Sequence, residues 1–186
     1  MSNKTLLTFL LFLLSIALVS GQHLAESNLL WSETRKLSVN DFIIKTKQLQ
    51  SNPSFSQFSI EYQVNGFDFL TKNFNKKVRN YFITSASWID TTADVKSSLL
   101  YQQTLFDLSE VYTRRFRKAL KENRKKLATG LRIAEELNNQ IVSDFSRKRI
   151  DYDTETKFGT DQLKQKEWEL YIQNELKQLD DFAYGT

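Results

Sequence analysis

The chain has 186 residues with 26 basic and 22 acidic side chains, a net charge of +4, one His and no Cys. A basic excess this small marks no class of partner by itself. The lack of Cys excludes disulfides, thiolate metal ligands and a lipid-modified N-terminal cysteine, and one Pro with five Gly beside fourteen Phe and three Trp is not the make-up of a disordered or linker-rich chain.

Met1–Lys4 is a short basic start, Thr5–Val19 is apolar along its length, and Val19-Ser20-Gly21 offers small side chains to a signal peptidase. Residues 1–21 are therefore expected to be an export signal cut after Gly21, making Gln22 the first mature residue. The run is short for a spanning helix, which needs about 20 apolar residues; an uncleaved anchor is the alternative. Residues 22–186 are expected to form one exported domain, periplasmic or secreted, without a membrane span. A chain of this size buries roughly two thirds of its unfolded surface, enough for one core.

Leu29 to Asp90 reads as strand-rich. Leu37–Phe42 suits a short strand or a turn, and Asn52-Pro53-Ser54 marks a loop. Phe58, Ile60, Tyr62 and Val64 alternate with polar residues, the period of a half-buried strand. Asn65-Gly66 signals a hairpin, with Phe67 and Phe69 on the return, and Val78–Ile89 reads as one long β-run.

Beyond Asp90 the pattern turns helical. Residues 92–126 contain neither Gly nor Pro, and Tyr101, Leu105, Leu108, Tyr112, Phe116 and Ala119 recur every three or four residues as an apolar stripe. Thr129-Gly130 interrupts. Leu131, Ala134, Leu137, Ile141 and Phe145 then predict a second helix, and Tyr152–Thr160 reads as a polar connection. Thr160-Asp161 looks like the N-cap of a third helix, with Trp168, Tyr171, Ile172, Leu176 and Leu179 facing inward. The expected class is α+β, a small antiparallel sheet followed by three helices, with no internal repeat.

Five separated pieces of this chain resemble the bacterial predicted secreted zinc-dependent proteases, a family related to the HExxH metallopeptidases. They are Trp31 with Leu37 and Asp41-Phe42; Ser87-Trp88; Leu105–Arg117; Tyr152–Gly159; and Gln165 with Trp168. The two specific pieces read HEQxHFD and YDxxTxHG in that family. The resemblance implies a zinc-metallopeptidase-like fold over most of residues 31–179. In such a site two His at i and i+4 on one helical face hold the metal, the intervening Glu is general base, and a third His leaves one coordination position open.

Carried over by position, the helical ligands fall on Tyr101 and Leu105, the base on Gln102 and the third ligand on Phe158. Leu and Phe have no donor atom, a phenol with pKa near 10 is a poor lone ligand, and Gln cannot take a proton from water. The implied member is degenerate: a pseudoenzyme with no metal and no cofactor. Independently of any family, a lone His23 and no Cys cannot assemble a His/Cys zinc site. Asp107, Tyr152, Asp153, Thr156 and Gly159 do match the pattern, either as a surviving polar pocket or as turn scaffolding. Asp151, Asp153 and Glu155 are the remaining carboxylate cluster, fit for Ca²⁺ or Mg²⁺ chemistry or for a solvated loop. Phe158 is expected to fill the space left by zinc and its third His.

Arg114–Lys126 holds eight basic residues and one acid, expected as a solvated helix face, with an anionic partner as the alternative. Trp31, Trp88 and Trp168 are assigned to packing. No aromatic-rich RNA motif and no G-x-S-x-G is present. The expected function is binding of a protein, a peptide or a cell-envelope component, with no role in nucleic-acid recognition. A hydrolase with relocated groups and a purely structural envelope protein are the alternatives.

Overall fold

The computed structural model describes residues 28–46, 52–64, 68, 74–130 and 132–185. The expected signal segment 1–21, His23, the expected hairpin at Asn65-Gly66 with Phe67 and Phe69, and Leu131 lie outside the described residues. The fold is α+β, with two small three-stranded sheets followed by three long helices.

Strands β1 (Leu29–Leu30), β5 (Val78–Phe82) and β4 (Phe58–Tyr62) form an antiparallel sheet in the order β1-β5-β4, with Phe58 opposite Phe82 and Tyr62 opposite Val78. In the second sheet β6 (Trp88–Asp90) lies between β2 (Ile44–Thr46), to which it is parallel, and β3 (Ser54–Phe55), to which it is antiparallel. The long β-run expected over residues 78–89 is thus two strands in different sheets, joined by a 3₁₀ turn at Thr84–Ala86. Ser87 fixes this corner: its hydroxyl donates to the Ile83 carbonyl at 2.6 Å and accepts from the Gln57 amide at 3.1 Å. A short hydroxyl side chain that bonds nearby backbone offers it an alternative to the ladder. Leu37–Phe42 contains a 3₁₀ turn at Val39–Asp41.

Helix α1 (Val95–Glu122) starts at Asp94, whose carboxylate accepts the Ser97 amide. It packs against α2 (Arg132–Glu155), with Tyr101 on Tyr152 and Tyr112 against Phe145, against α3 (Gln162–Gln178), and against strands β3 to β6. Phe42, Phe58, Phe82 and Phe106 make the aromatic centre of the core, with Phe42–Phe82 and Phe58–Phe106 centroids 5.1 and 5.3 Å apart. Trp31 and Trp168 are buried and Trp88 is half-buried.

The expected stripe of α1 is buried from Tyr101 to Phe116, and its middle is covered so fully that polar residues are buried beside the stripe. Leu105 and Phe116 are fully buried, and so are Gln102, Ser109, Thr113 and Arg117. The expected solvated basic face is corrected in the same way: only Lys118, Lys121 and Arg124–Lys126 are exposed, whereas Arg114 and Arg117 enter the core. The carboxylate of Glu110 accepts from Arg117 Nη1 at 2.7 Å and from Arg114 Nε at 3.4 Å. Arg117 also donates to the carbonyls of Val78 and Phe182, so one guanidinium ties α1 to β5 and to the C-terminal turn.

The connection expected at Tyr152–Thr160 is helical through Glu155, because Ile141, Phe145 and Tyr152 continue one packed face. The turn comes later, where Lys157, Phe158 and Gly159 all take left-handed φ values of 49°, 56° and 83°. Asp161 then caps α3, accepting from the Lys164 amide at 3.1 Å.

Candidate functional site

Positions 101 and 105 lie one helical turn apart on the face of α1 that meets α2, and the turn at 157–159 folds back over the same place. A Cβ built on Gly159 would stand 2.7 Å from Tyr101 Cβ. The two specific motif pieces, distant in sequence, therefore meet in space.

The meeting point is packed. Tyr101, Gln102 and Leu105 are 3%, 1% and 0% exposed. The Tyr101 ring stacks on Tyr152 with centroids 5.1 Å apart and planes within 9°, and its hydroxyl donates to the Asp153 carboxylate. Tyr152 in turn contacts the Tyr101 carbonyl at 3.0 Å and Gln165 Oε1 at 2.9 Å, and Gln165 Nε2 donates to Thr104 Oγ1 at 2.9 Å. Thr156 Oγ1 donates to the Tyr152 carbonyl and accepts the Gly159 amide, closing the end of α2. Gln102 Nε2 donates to Ser54 Oγ at 2.9 Å, while its Oε1 has no partner among the described residues.

Electrostatics make the two phenols poor proton carriers. Burial, then the neighbouring Asp153 charge, pushes the Tyr101 phenol far above the usual tyrosine range, and burial does the same to Tyr152. Burial raises the Asp153 carboxyl above its ordinary value; the Tyr101 hydrogen bond and Arg149, 3.6 Å away, oppose the rise. A zinc ion does not fit this donor set: Tyr101 is committed to Asp153, Leu105 is in the core, and the amide of Gln102 is neutral.

Phe158 does not fill the space as expected. Its ring is 40% exposed and lines a surface groove of about 300 Å³ with Pro53, Ser98, Gly159 and Gln162. Tyr152, Asp153 and Thr156 gather around Tyr101, but Asp107 does not: it points across α1 to Trp31 Nε1 and Gln103 Nε2, each 2.8 Å from its Oδ1. Burial raises the Asp107 carboxyl, against the pull of Lys36.

The carboxylates at 151, 153 and 155 are separated by the helix that carries them. Asp151 pairs with Lys148, Asp153 faces Tyr101 and Arg149, and Glu155 accepts from Trp168 Nε1. Among the described residues no three His, Cys, Asp or Glu side chains come together as a metal site. Thr104 and Arg149 were not singled out from sequence, although Arg149 stands four residues before Asp153, a spacing that marks a helical ion pair.

Comparison with family models, with curated proteins and with solved structures gives no match to this chain. Among the described residues no helix is long and apolar enough to cross a membrane.

Proposed function

We propose that this protein is an exported, non-catalytic member of the zinc-protease-like group that acts by binding a protein, a peptide or a cell-envelope component. The burial of Tyr101, Gln102 and Leu105 where the two motif pieces converge carries this reading. A hydrolytic site needs a base whose pKa lies near the working pH and room for a water beside the scissile bond. Here the phenols are held protonated, the carboxylate of Asp153 is engaged, and aromatic stacking occupies the space. The helix is kept as scaffold, and recognition falls to the surface.

The test is to put the family's residues back. The variant Tyr101→His/Gln102→Glu/Leu105→His/Phe158→His is expected to fold and to take up zinc, while the wild type cleaves no unstructured protein substrate with or without added zinc. A folded variant that binds no zinc overturns the placement of the site. Cleavage by the wild type above a heat-inactivated control overturns the non-catalytic reading.

A further inference from the structure

A second cavity, of about 440 Å³, opens between the segment after β1, the middle of α1 and the C-terminal half of α3. This volume lies within the range of small-ligand sites. Asp107 and Arg114, two turns apart on one face of α1, both line it. Arg114 is 3% exposed, and its charge is felt at Asp107 although the two form no ion pair. Arg114 Nε goes to Glu110, Nη1 goes to the Leu176 carbonyl at 2.7 Å and faces the Asp180 carboxylate at 3.7 Å, and the guanidinium lies over the Trp31 ring, which leaves Nη2 without a hydrogen bond to any described residue. Asp107 Oδ1 accepts from both Trp31 and Gln103, and Oδ2 has only Lys36 Nζ at 4.0 Å.

One cleft therefore presents a guanidinium N–H and a carboxylate oxygen held only by the 4.0 Å contact with Lys36, each positioned by its other bonds. Both groups open onto the cleft, so a ligand that reaches them exchanges water for a charge-assisted hydrogen bond at each end. An anion alone would face Asp107, and a cation alone would face Arg114. The rim is balanced as well, with Lys36 and Lys177 against Glu33 and Asp180. The ring of Trp31 and the side chain of Leu176 supply apolar wall.

We infer that this cleft binds a small zwitterion with an apolar side chain, an α-amino acid or a very short peptide. Its carboxylate is taken by Arg114 and its ammonium by Asp107. The site is separate from the packed Tyr101–Asp153 cluster and stands whether or not the chain is catalytic.

The Trp31 indole N–H donates to Asp107, so its ¹⁵N–¹H resonance reports on the site directly. The protein is titrated with L-leucine, L-leucyl-L-leucine, N-acetyl-L-leucine and L-leucinamide. L-leucine or the dipeptide is expected to shift the resonance saturably, and the comparison of the two decides between free amino acid and peptide. The acetylated and amidated forms, each lacking one charge, are expected to bind at least about tenfold more weakly, the cost of one charge-assisted hydrogen bond. Asp107→Asn keeps an acceptor for Trp31 and Gln103 and is expected to weaken L-leucine but leave N-acetyl-L-leucine unchanged. Equal binding of all four compounds, or no saturable shift with any of them at millimolar concentration, overturns the inference. The ligand series gives this answer even if the variant fails to fold.

Discussion

Replacing Gly159 with Ala tests whether the turn after α2 and the ring of Tyr101 are fitted to each other. The new Cβ would meet Tyr101 Cβ at 2.7 Å, Cγ at 2.9 Å and Cδ2 at 3.1 Å. Tyr101 Cβ is anchored to the backbone of a buried helix and has no rotamer that moves it away. The site also holds φ at +83°, and left-handed backbone costs a residue with a Cβ about 1–2 kcal/mol. Overpacking of a filled core adds about 1–3 kcal/mol. The expected loss is about 2–5 kcal/mol, a large share of the about 5–15 kcal/mol that holds a typical domain together. In urea, with a slope of about 1–3 kcal/mol per molar, the midpoint should fall by about 0.7 M or more. Tryptophan fluorescence is a suitable readout, since Trp168 is buried against Tyr152. Gly185→Ala, where nothing lies within 4 Å of the added Cβ, is the control and should be neutral. Tyr101→Ala should not rescue the variant, because the closest contact is with the Cβ that Ala keeps. A Gly159→Ala midpoint equal to wild type would refute the proposed fit.

Glu110→Gln leaves the buried Arg117 without a carboxylate and Arg114 with only the more distant Asp180 and should cost about 3–5 kcal/mol; denaturation at low and high salt should give the same loss, because the Arg117–Glu110 pair is buried. The exposed pair Arg132–Glu136 is the contrast: breaking it should cost less than about 1 kcal/mol, and a larger loss contradicts its exposure. Tyr101→Phe removes the hydrogen bond that holds the Asp153 carboxyl down, so that carboxyl should titrate at higher pH in the variant, read by ¹³C NMR; an unchanged or lower value counts against the pairing. Asp107 is also raised above the ordinary 3.8 in the fold, so on raising the pH the unfolded chain releases this proton first and the folded form loses stability through that window. The stability of wild type relative to Asp107→Asn should therefore fall as pH climbs from about 3.8 through the folded value, and a difference that grows with pH contradicts the burial argument.

Local patterns were legible where local chemistry decides them. The alternation from Phe58 to Val64, the Gly-free and Pro-free run that became α1, and the capping role of Asp161 all follow from side-chain period and hydrogen-bonding capacity. Three features depended on partners distant in sequence. The Val78–Ile89 run has strand propensity throughout, but nothing in propensity says that Ser87 turns the chain into another sheet. Arg114 and Arg117 read as solvated because their partners, Glu110 and Asp180 aside, are the carbonyls of Val78, Leu176 and Phe182, and carbonyls leave no mark in the composition. Of the candidate site, the lack of zinc-donor side chains at 101, 105 and 158 was readable directly, whereas the pairing of Tyr101 with Asp153 and the hydrogen bond of Asp107 with Trp31 were set by helix phase.

The absence of zinc chemistry is the centre of this account, and elemental analysis of the purified, untagged protein tests it most directly. The account predicts zinc far below one equivalent after dialysis, with Tyr101 and Asp153 paired to each other instead of to a metal. A full equivalent that survives dialysis would contradict it and would place a metal on side chains that the fold holds apart.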